Sequence, residues 1–170
     1  MPRPRVLWEM SPRSGPGLPP FEHVVERYGP ALWRFCAAQA GPARADDCFQ
    51  EAMLSALRAY GELRDPGAVR SWLFSIAARK AIDLHRESTR APQPAEDLEA
   101  LSAAAEPVHR DEALWARVRR LPEKQSQAVL LRYLADLSHK EIGQIMETTD
   151  EAARRNVFEG LARLRKELGP

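Results

Sequence analysis

The sequence has few of the features that mark secreted or membrane-spanning proteins. Its only two cysteines, Cys36 and Cys48, cannot form a disulfide framework and are typical of a protein kept in a reducing compartment. No apolar run approaches the ~20 residues that a membrane-spanning helix needs. The N-terminus is rich in proline and lacks the apolar centre of a signal peptide. We therefore expect a cytoplasmic protein that does not insert into a membrane.

Sequence features of enzymes and metal sites are also missing. The chain has no glycine-rich phosphate loop, no nucleophile motif and no pair of catalytic carboxylates. Its four histidines, at 23, 85, 109 and 139, are far apart, and none has a metal-ligand spacing to a cysteine. These absences predict a protein that is not an enzyme and that uses no metal and no cofactor.

Charge and proline content divide the 170 residues into segments. The net charge of +1 argues against a protein that coats nucleic acid without specificity, although it allows a local basic face. Residues 91–112 carry six acidic residues against one arginine and have no amphipathic face, so we predict a flexible acidic linker there. Residues 1–20 contain six of the 14 prolines, which predicts a disordered tail.

Hydrophobic periodicity predicts helices on both sides of this linker and no strand. In residues 21–90, apolar residues three or four positions apart predict one helix from Phe21, kinked or interrupted at Gly29-Pro30, a second centred on 49–60 and a third over about 69–85. In residues 113–168, Pro122 ends one helix and begins the next. The predicted fold class is all-α, with two small helical bundles.

The C-terminal bundle contains the pattern of a helix-turn-helix. Ser138-His139-Lys140-Glu141 predicts a capping box at the start of one short helix, and a second such motif at 148–151 begins the next. Gly143 supplies the small residue that a close helix crossing requires, whereas Glu147 stands where a turn glycine is usual. In the final helix, Ala153, Val157 and later leucines face the core, so Arg154 and Arg155 face outward. They are placed either to contact DNA or to form a solvated charged surface.

Two sets of motifs resemble a bacterial sigma-70-family initiation factor of the extracytoplasmic-function (ECF) type. The sequence DDCFQEA at 46–52 is similar to the D-x-x-Q-E signature of region 2, and SWLFSIAARKAID at 71–83 resembles the run that follows it. Leu-Pro-Glu at 121–123, Leu-Arg-Tyr at 131–133 and the segment from Leu137 to Ile142 resemble region 4. The resemblance covers about 21–90, as sigma region 2, and 113–168, as sigma region 4.

The resemblance implies a division of labour among these segments. Core RNA polymerase and promoter DNA would be the partners, an anti-sigma factor is a further candidate, and the acidic linker would thread through the polymerase. The face of the second helix would bind core polymerase through Asp47, Gln50, Glu51 and Leu54. The third helix, with the loop at 61–68, would hold the opened −10 strand through Arg70, Trp72, Arg79, Lys80 and Arg86. The final helix would read the −35 element through Thr149, Asp150, Glu151, Arg154, Arg155 and Phe158.

Several readings stay open at this point. Trp72 lies on an apolar stripe and could belong to the core, and Arg79 stands where many relatives have asparagine, which favours a phosphate contact. A helix-turn-helix regulator that does not act as a polymerase subunit would explain the last 50 residues equally well, but not the motifs at 46–52 and 71–83. An all-helical interaction adaptor would explain neither the arginine pair nor the linker.

Overall fold

The computed structural model describes residues 17–90 and 106–169. The predicted tail up to residue 16 and residues 91–105 of the predicted linker lie outside the described residues. Within these two ranges the chain is helical and contains no strand, which confirms the predicted fold class. The helices are α1 (Phe21–Ala40), α2 (Ala45–Ala59), α3 (Val69–Arg90), α4 (Glu106–Arg120), α5 (Glu123–Tyr133), α6 (His139–Ile145) and α7 (Asp150–Leu168).

Helices α1 to α3 form the N-terminal bundle. Phe35 of α1 and Phe74 of α3 meet edge to face, with ring centroids 5.5 Å apart, and both are almost fully buried. The buried face of α2 is made of small residues, Cys48, Ala52 and Ala56, which allows the neighbouring helices to approach closely. Tyr60 closes the end of this core and donates a hydrogen bond of 2.5 Å to the carbonyl oxygen of Pro19.

The predicted interruption at Gly29-Pro30 is wrong, because α1 continues through Pro30 to Ala40. Proline removes one backbone hydrogen bond, but Leu32 and Phe35, just beyond it, are completely buried against the other helices. This packing holds the helix together. Helix α3 also extends to Arg90, five residues beyond its predicted end.

Both cysteines are buried in the N-terminal core and neither is in a disulfide. The pKa of the Cys36 thiol is raised far above its usual value, first by a hydrogen bond with the Cys48 side chain and then by burial. Because the thiolate is the reactive form, we infer that Cys36 is a small core residue and not a reactive thiol.

Helices α4 to α7 form the C-terminal bundle, in which α7 crosses α5 at Gly160. A Cβ on Gly160 would lie 2.8 Å from Cγ2 of Val129, so only glycine allows this approach. Helix α4 begins at Glu106, inside the segment predicted as linker. Proline is tolerated in the first turn of a helix, because its missing amide hydrogen would have no partner there, so Pro107 does not prevent this start.

The two bundles also pack against each other. Arg119 of α4 is largely buried and donates to the carbonyl oxygens of Ala37 and Ala38, at 3.4 and 3.1 Å, near the end of α1. Its guanidinium also pairs with Glu112. Arg119 therefore holds α4 against the carboxyl-terminal end of α1.

Candidate nucleic-acid interface

The helix-turn-helix in the C-terminal bundle begins at the predicted capping box. The Ser138 hydroxyl accepts from the backbone N–H of Glu141 at 3.2 Å, and the Glu141 carboxylate accepts from the N–H of Ser138 at 2.8 Å. Gly143 lies at the helix crossing, where a Cβ would be 3.0 Å from the carbonyl oxygen of Thr148 and 3.2 Å from Thr149. The capping box and the close crossing are both confirmed.

The turn differs in one detail from the predicted pattern. Thr149, and not Thr148, caps α7, because its hydroxyl accepts from the N–H of Ala152 at 3.1 Å. Glu147 adopts a φ of 53°, the left-handed conformation that glycine adopts without strain. The turn therefore has the geometry of a glycine turn even though its residue is glutamate.

The outward face of α7 carries the residues expected to read DNA. Its opposite face is buried through Ala153, Val157, Gly160 and Leu164. Five of the residues expected to read DNA are exposed on α7: Asp150, Glu151, Arg154, Arg155 and Phe158. The Phe158 side chain is 68% exposed, which is unusual for a large apolar residue. Within the part of the chain that the structure describes, neither arginine has an ion-pair partner, so both guanidinium groups are available to a ligand.

A second surface lies along α2. Asp47, Gln50, Glu51 and Leu54 are all exposed and follow one another at helical spacing on one face. Leu54 is 52% exposed, so this face combines an apolar centre with polar neighbours. Arg58, one turn beyond Leu54, continues the same face and was missed by the sequence analysis. Its position at i+4 from Leu54 was the signal that could have identified it.

The basic residues of α3 do not form one compact cluster. Arg70 and Arg86 are 16 positions apart, or about 24 Å along a helix. Arg79 and Arg86 are exposed, whereas Lys80 turns towards α2, where its Nζ lies 3.6 Å from a carboxylate oxygen of Glu51. Lys80 therefore lies beside the α2 face. Arg70, Arg79 and Arg86 remain along α3.

Trp72 is half-buried and does not stand free on the surface. Its ring centroid is 6.0 Å from that of Tyr60, with the planes tilted by 44°, and it packs against the N-terminal core. The ring therefore contributes to packing and still presents an accessible part.

The loop that precedes α3 is held by a local hydrogen bond, in which the Asp65 carboxylate accepts from the N–H of Gly67 at 2.8 Å.

Two arginines of α3 are engaged with the C-terminal bundle. Arg70 donates to the carbonyl oxygen of Asp136 at 3.2 Å and lies 3.4 Å from its carboxylate. Arg86 lies 3.2 Å from the carboxylate of Glu123. These contacts place acidic groups of one bundle on basic groups of the other.

Across 17–90 and 106–169, no helix is both long and apolar enough to cross a membrane. Over the same residues, no three histidine, cysteine or acidic side chains lie together as metal ligands would.

Comparison with known proteins finds the same family at both bundles. Sigma-70 region 2 matches residues 24–91, and Sigma-70 region 4 matches residues 111–164. The ECF RNA polymerase sigma factor SigD of Mycobacterium tuberculosis is 32% identical over 162 residues, covering 85% of this chain and 75% of SigD. The RNA polymerase sigma factor SigV of Bacillus subtilis is 28% identical over 123 residues, covering 72% and 74% of the two chains.

Solved structures show the same fold. The sigma factor RpoE of Bartonella quintana, in complex with the anti-sigma factor NepR, superposes with a TM-score of 0.71 at 16% identity, covering 87% of this chain and 96% of RpoE. CnrH, in complex with the cytosolic domain of CnrY, gives a TM-score of 0.67 at 21% identity, covering 87% and 86%. Because the region 2 family matches the N-terminal bundle, just as region 4 matches the helix-turn-helix, a regulator that is not a polymerase subunit is not favoured.

Proposed function

The chain belongs to the sigma-70 family, as an ECF sigma factor that binds core RNA polymerase and directs promoter-specific transcription initiation, and from this premise we propose which surfaces perform each task. Sigma factors are non-enzymatic, DNA-binding regulatory subunits, so the surfaces bind and position and carry no catalytic group. We place this activity in the cytoplasm, where core polymerase and the chromosome are found.

The α2 face, defined by Asp47, Gln50, Glu51 and Leu54, is the proposed docking surface for core polymerase. The observation that carries this proposal is the half-exposed Leu54 among exposed polar residues, on a helix whose other face is completely buried. An apolar anchor with a polar rim is the usual composition of a protein–protein contact. The motif DDCFQEA, which gives the resemblance to region 2, lies on the same helix.

Helix α3 is the proposed surface for the opened −10 strand. Arg79 and Arg86 are seven positions apart and therefore lie on one side of α3, so their guanidinium groups can contact phosphates of a single strand. Arg70, nine positions before Arg79, starts from the opposite side of the helix and would reach the strand only near its other end. The accessible part of Trp72 offers a surface on which a base can stack. Lys80 contributes less directly in this arrangement, since its ammonium group already pairs with Glu51.

The outward face of α7 is the proposed reader of the −35 element. A recognition helix places residues near its N-terminus against base edges in the major groove. Arg154 and Arg155 are exposed at that end and have the side chain that most often binds guanine in a bidentate manner. The Thr149 oxygen is occupied by helix capping, so we assign Thr149 to holding the start of α7.

An anti-sigma factor is a further proposed partner. The supporting observation is that two similar structures, RpoE and CnrH, were solved in complexes, with the anti-sigma factor NepR and with the cytosolic domain of CnrY. A partner of this kind would act by covering one of the three surfaces named above.

The docking surface is tested by measuring affinity for immobilised core polymerase. The variant carries Gln50→Ala and Glu51→Ala, and its matched control carries Gln144→Ala and Glu26→Ala, which remove the same groups at exposed positions elsewhere. We expect the α2 variant to lose affinity by about tenfold, which corresponds to about 1.4 kcal/mol summed over two residues at the centre of the contact, while the control binds like the wild type. Equal retention of both variants, with unchanged melting temperatures, would contradict the assignment.

A further inference from the structure

Gln125 of α5 is a buried polar residue whose side chain is only partly satisfied. The residue is 6% exposed, and its Oε1 atom has no hydrogen-bond partner in the part of the chain that the structure describes. A buried acceptor without a partner destabilises a fold, so an apolar side chain of similar size would serve better if packing were the only requirement. The amide group of Gln125 therefore indicates a role besides packing.

The other end of this amide holds a carboxylate of α7. Nε2 of Gln125 donates to Oε2 of Glu159 at 2.9 Å, and only the NH2 end of an amide can bind a carboxylate in this way. The two helices approach closely beside this contact, since a Cβ on Gly160 would lie 3.5 Å from the Cβ of Gln125. The packed crossing therefore fixes Gln125, and Gln125 fixes the direction of the exposed Glu159 side chain.

Without this hydrogen bond, Glu159 would have two cations within reach. It lies four positions after Arg155 on α7, the spacing at which ion pairs form along a helix. Glu159 and Arg155 also line one groove of about 400 Å³ together with Lys124, at the start of α5. Over residues 17–90 and 106–169, however, neither Arg155 nor Lys124 forms an ion pair. A neutral amide satisfies the carboxylate, and both positive charges stay free.

Arg155 is the cation that this arrangement protects most directly. It lies two positions from each of the buried residues Ala153 and Val157, or about 160° around the helix, so its side chain leaves α7 almost opposite the core. A carboxylate, a phosphate and the edge of guanine all bind the same guanidinium donors. The other carboxylate one turn away, Glu151, lies in the first turn of α7, where the free N–H groups favour it. Glu159 is therefore the competitor that needs a restraint.

We propose that Gln125 is a positioning residue for −35 recognition, which holds the Glu159 carboxylate so that Arg155 and Lys124 remain free to bind DNA. This inference rests on the −35 role proposed for α7. Gln125 is buried and acts only through Glu159. When its amide is removed, Glu159 is free to pair with either cation, and DNA then has to displace the carboxylate.

A double-mutant cycle tests the proposal, in which Gln125→Met is made with and without Glu159→Gln. Methionine keeps the length of the side chain and removes both the amide and its unpaired oxygen, so the fold should be retained. Because Gln125→Met leaves the net charge unchanged, long-range electrostatic effects cancel within each pair of proteins. The readout is the affinity of each variant, in complex with core polymerase, for a promoter duplex selected by the wild type from a randomised library.

We expect Gln125→Met to lower this affinity about three- to fivefold when Glu159 is present, the effect of one exposed ion pair, and to leave it unchanged beside Glu159→Gln. An equal loss in both backgrounds would mean that Gln125 acts through packing alone, and would overturn the proposal. NMR signals of the Arg155 and Lys124 side chains in the free chain report ion pairing separately, and should shift only in the Gln125→Met single variant. Shifted signals with equal affinity in all four proteins would overturn the proposal at the −35 role of α7, whereas unshifted signals would overturn it at Gln125.

Discussion

The replacement Gly143→Ala tests the helix crossing that positions the proposed recognition helix. A Cβ at this position would lie 3.0 Å from the carbonyl oxygen of Thr148 and 3.2 Å from the carbonyl group of Thr149. These are backbone atoms at the start of α7, so the clash is relieved only by moving the turn. Such overpacking costs about 1–3 kcal/mol, whereas alanine gains about 1 kcal/mol over glycine in a helix. We expect a net loss of up to about 2 kcal/mol.

Thermal unfolding and duplex binding measure this effect. For a bundle of this size, each kcal/mol lowers the melting temperature by about 4–8 °C. Affinity for a −35 duplex should fall as well, because α7 moves, while binding to core polymerase through α2 should persist. The control is Gln144→Ala, an exposed change in the same helix that should alter stability by less than about 0.5 kcal/mol. If Gly143→Ala raised the melting temperature, helix propensity would dominate and the inferred crossing would be refuted.

Four further predictions concern single side chains. Glu147→Gly should raise the free energy of unfolding by about 1 kcal/mol, because φ is 53° at this position, and a lower melting temperature would contradict this. The Trp72→Ala variant should be about 2 kcal/mol less stable in thermal unfolding and should also be impaired in promoter opening. A loss of stability without a separate opening defect would show that the Trp72 ring has only a packing role. Of the two replacements Arg154→Ala and Arg155→Ala, one should relax base preference at a single −35 position, and the other should lower the salt slope of DNA binding by about one. A promoter library on which neither replacement has an effect would refute the α7 assignment. Burial raises the pKa of Tyr60, so the wild type should lose stability as the pH rises above about 10, the unfolded value. Tyr60→Phe should lower the free energy of unfolding by about 1 kcal/mol at neutral pH, because it removes the hydrogen bond to Pro19, and should also remove this alkaline loss of stability. If the variant and the wild type lost stability equally at alkaline pH, Tyr60 would not be its cause.

The sequence predicted correctly those features that depend only on contacts between residues close together in the chain. The capping box at Ser138 and the small residue at 143 depend on short-range geometry, and both are present. The helix through Pro30 was not predicted, because the proline penalty is local and the packing that overcomes it comes from helices distant in sequence. The early start of α4 was missed for a related reason. An acidic segment with Pro107 indicates a linker when it is taken alone, and a helix N-terminus when a packed helix follows it.

The positions of the site residues followed from periodicity more reliably than their contacts did. Spacing placed Arg154 and Arg155 on the outward face of α7, and the family resemblance supplied the α2 residues; all of these are exposed in the structure. It gave no indication that Lys80 pairs with Glu51, that Arg119 reaches the carbonyl groups of Ala37 and Ala38, or that Arg70 reaches Asp136. Each of these pairs joins different helices, and their proximity depends on the arrangement of the bundles, which a single sequence does not display.

Transcription by purified core polymerase from a library of randomised duplex promoters tests the central claim most directly. With the chain added, we expect transcripts to arise from templates that share two short elements near −35 and −10. The −35 preference should change for one of the two variants Arg154→Ala and Arg155→Ala. The same initiation should disappear with the Gln50→Ala and Glu51→Ala variant and persist with its matched control. Transcripts identical to those of core polymerase alone would contradict the assignment of this chain as an initiation factor.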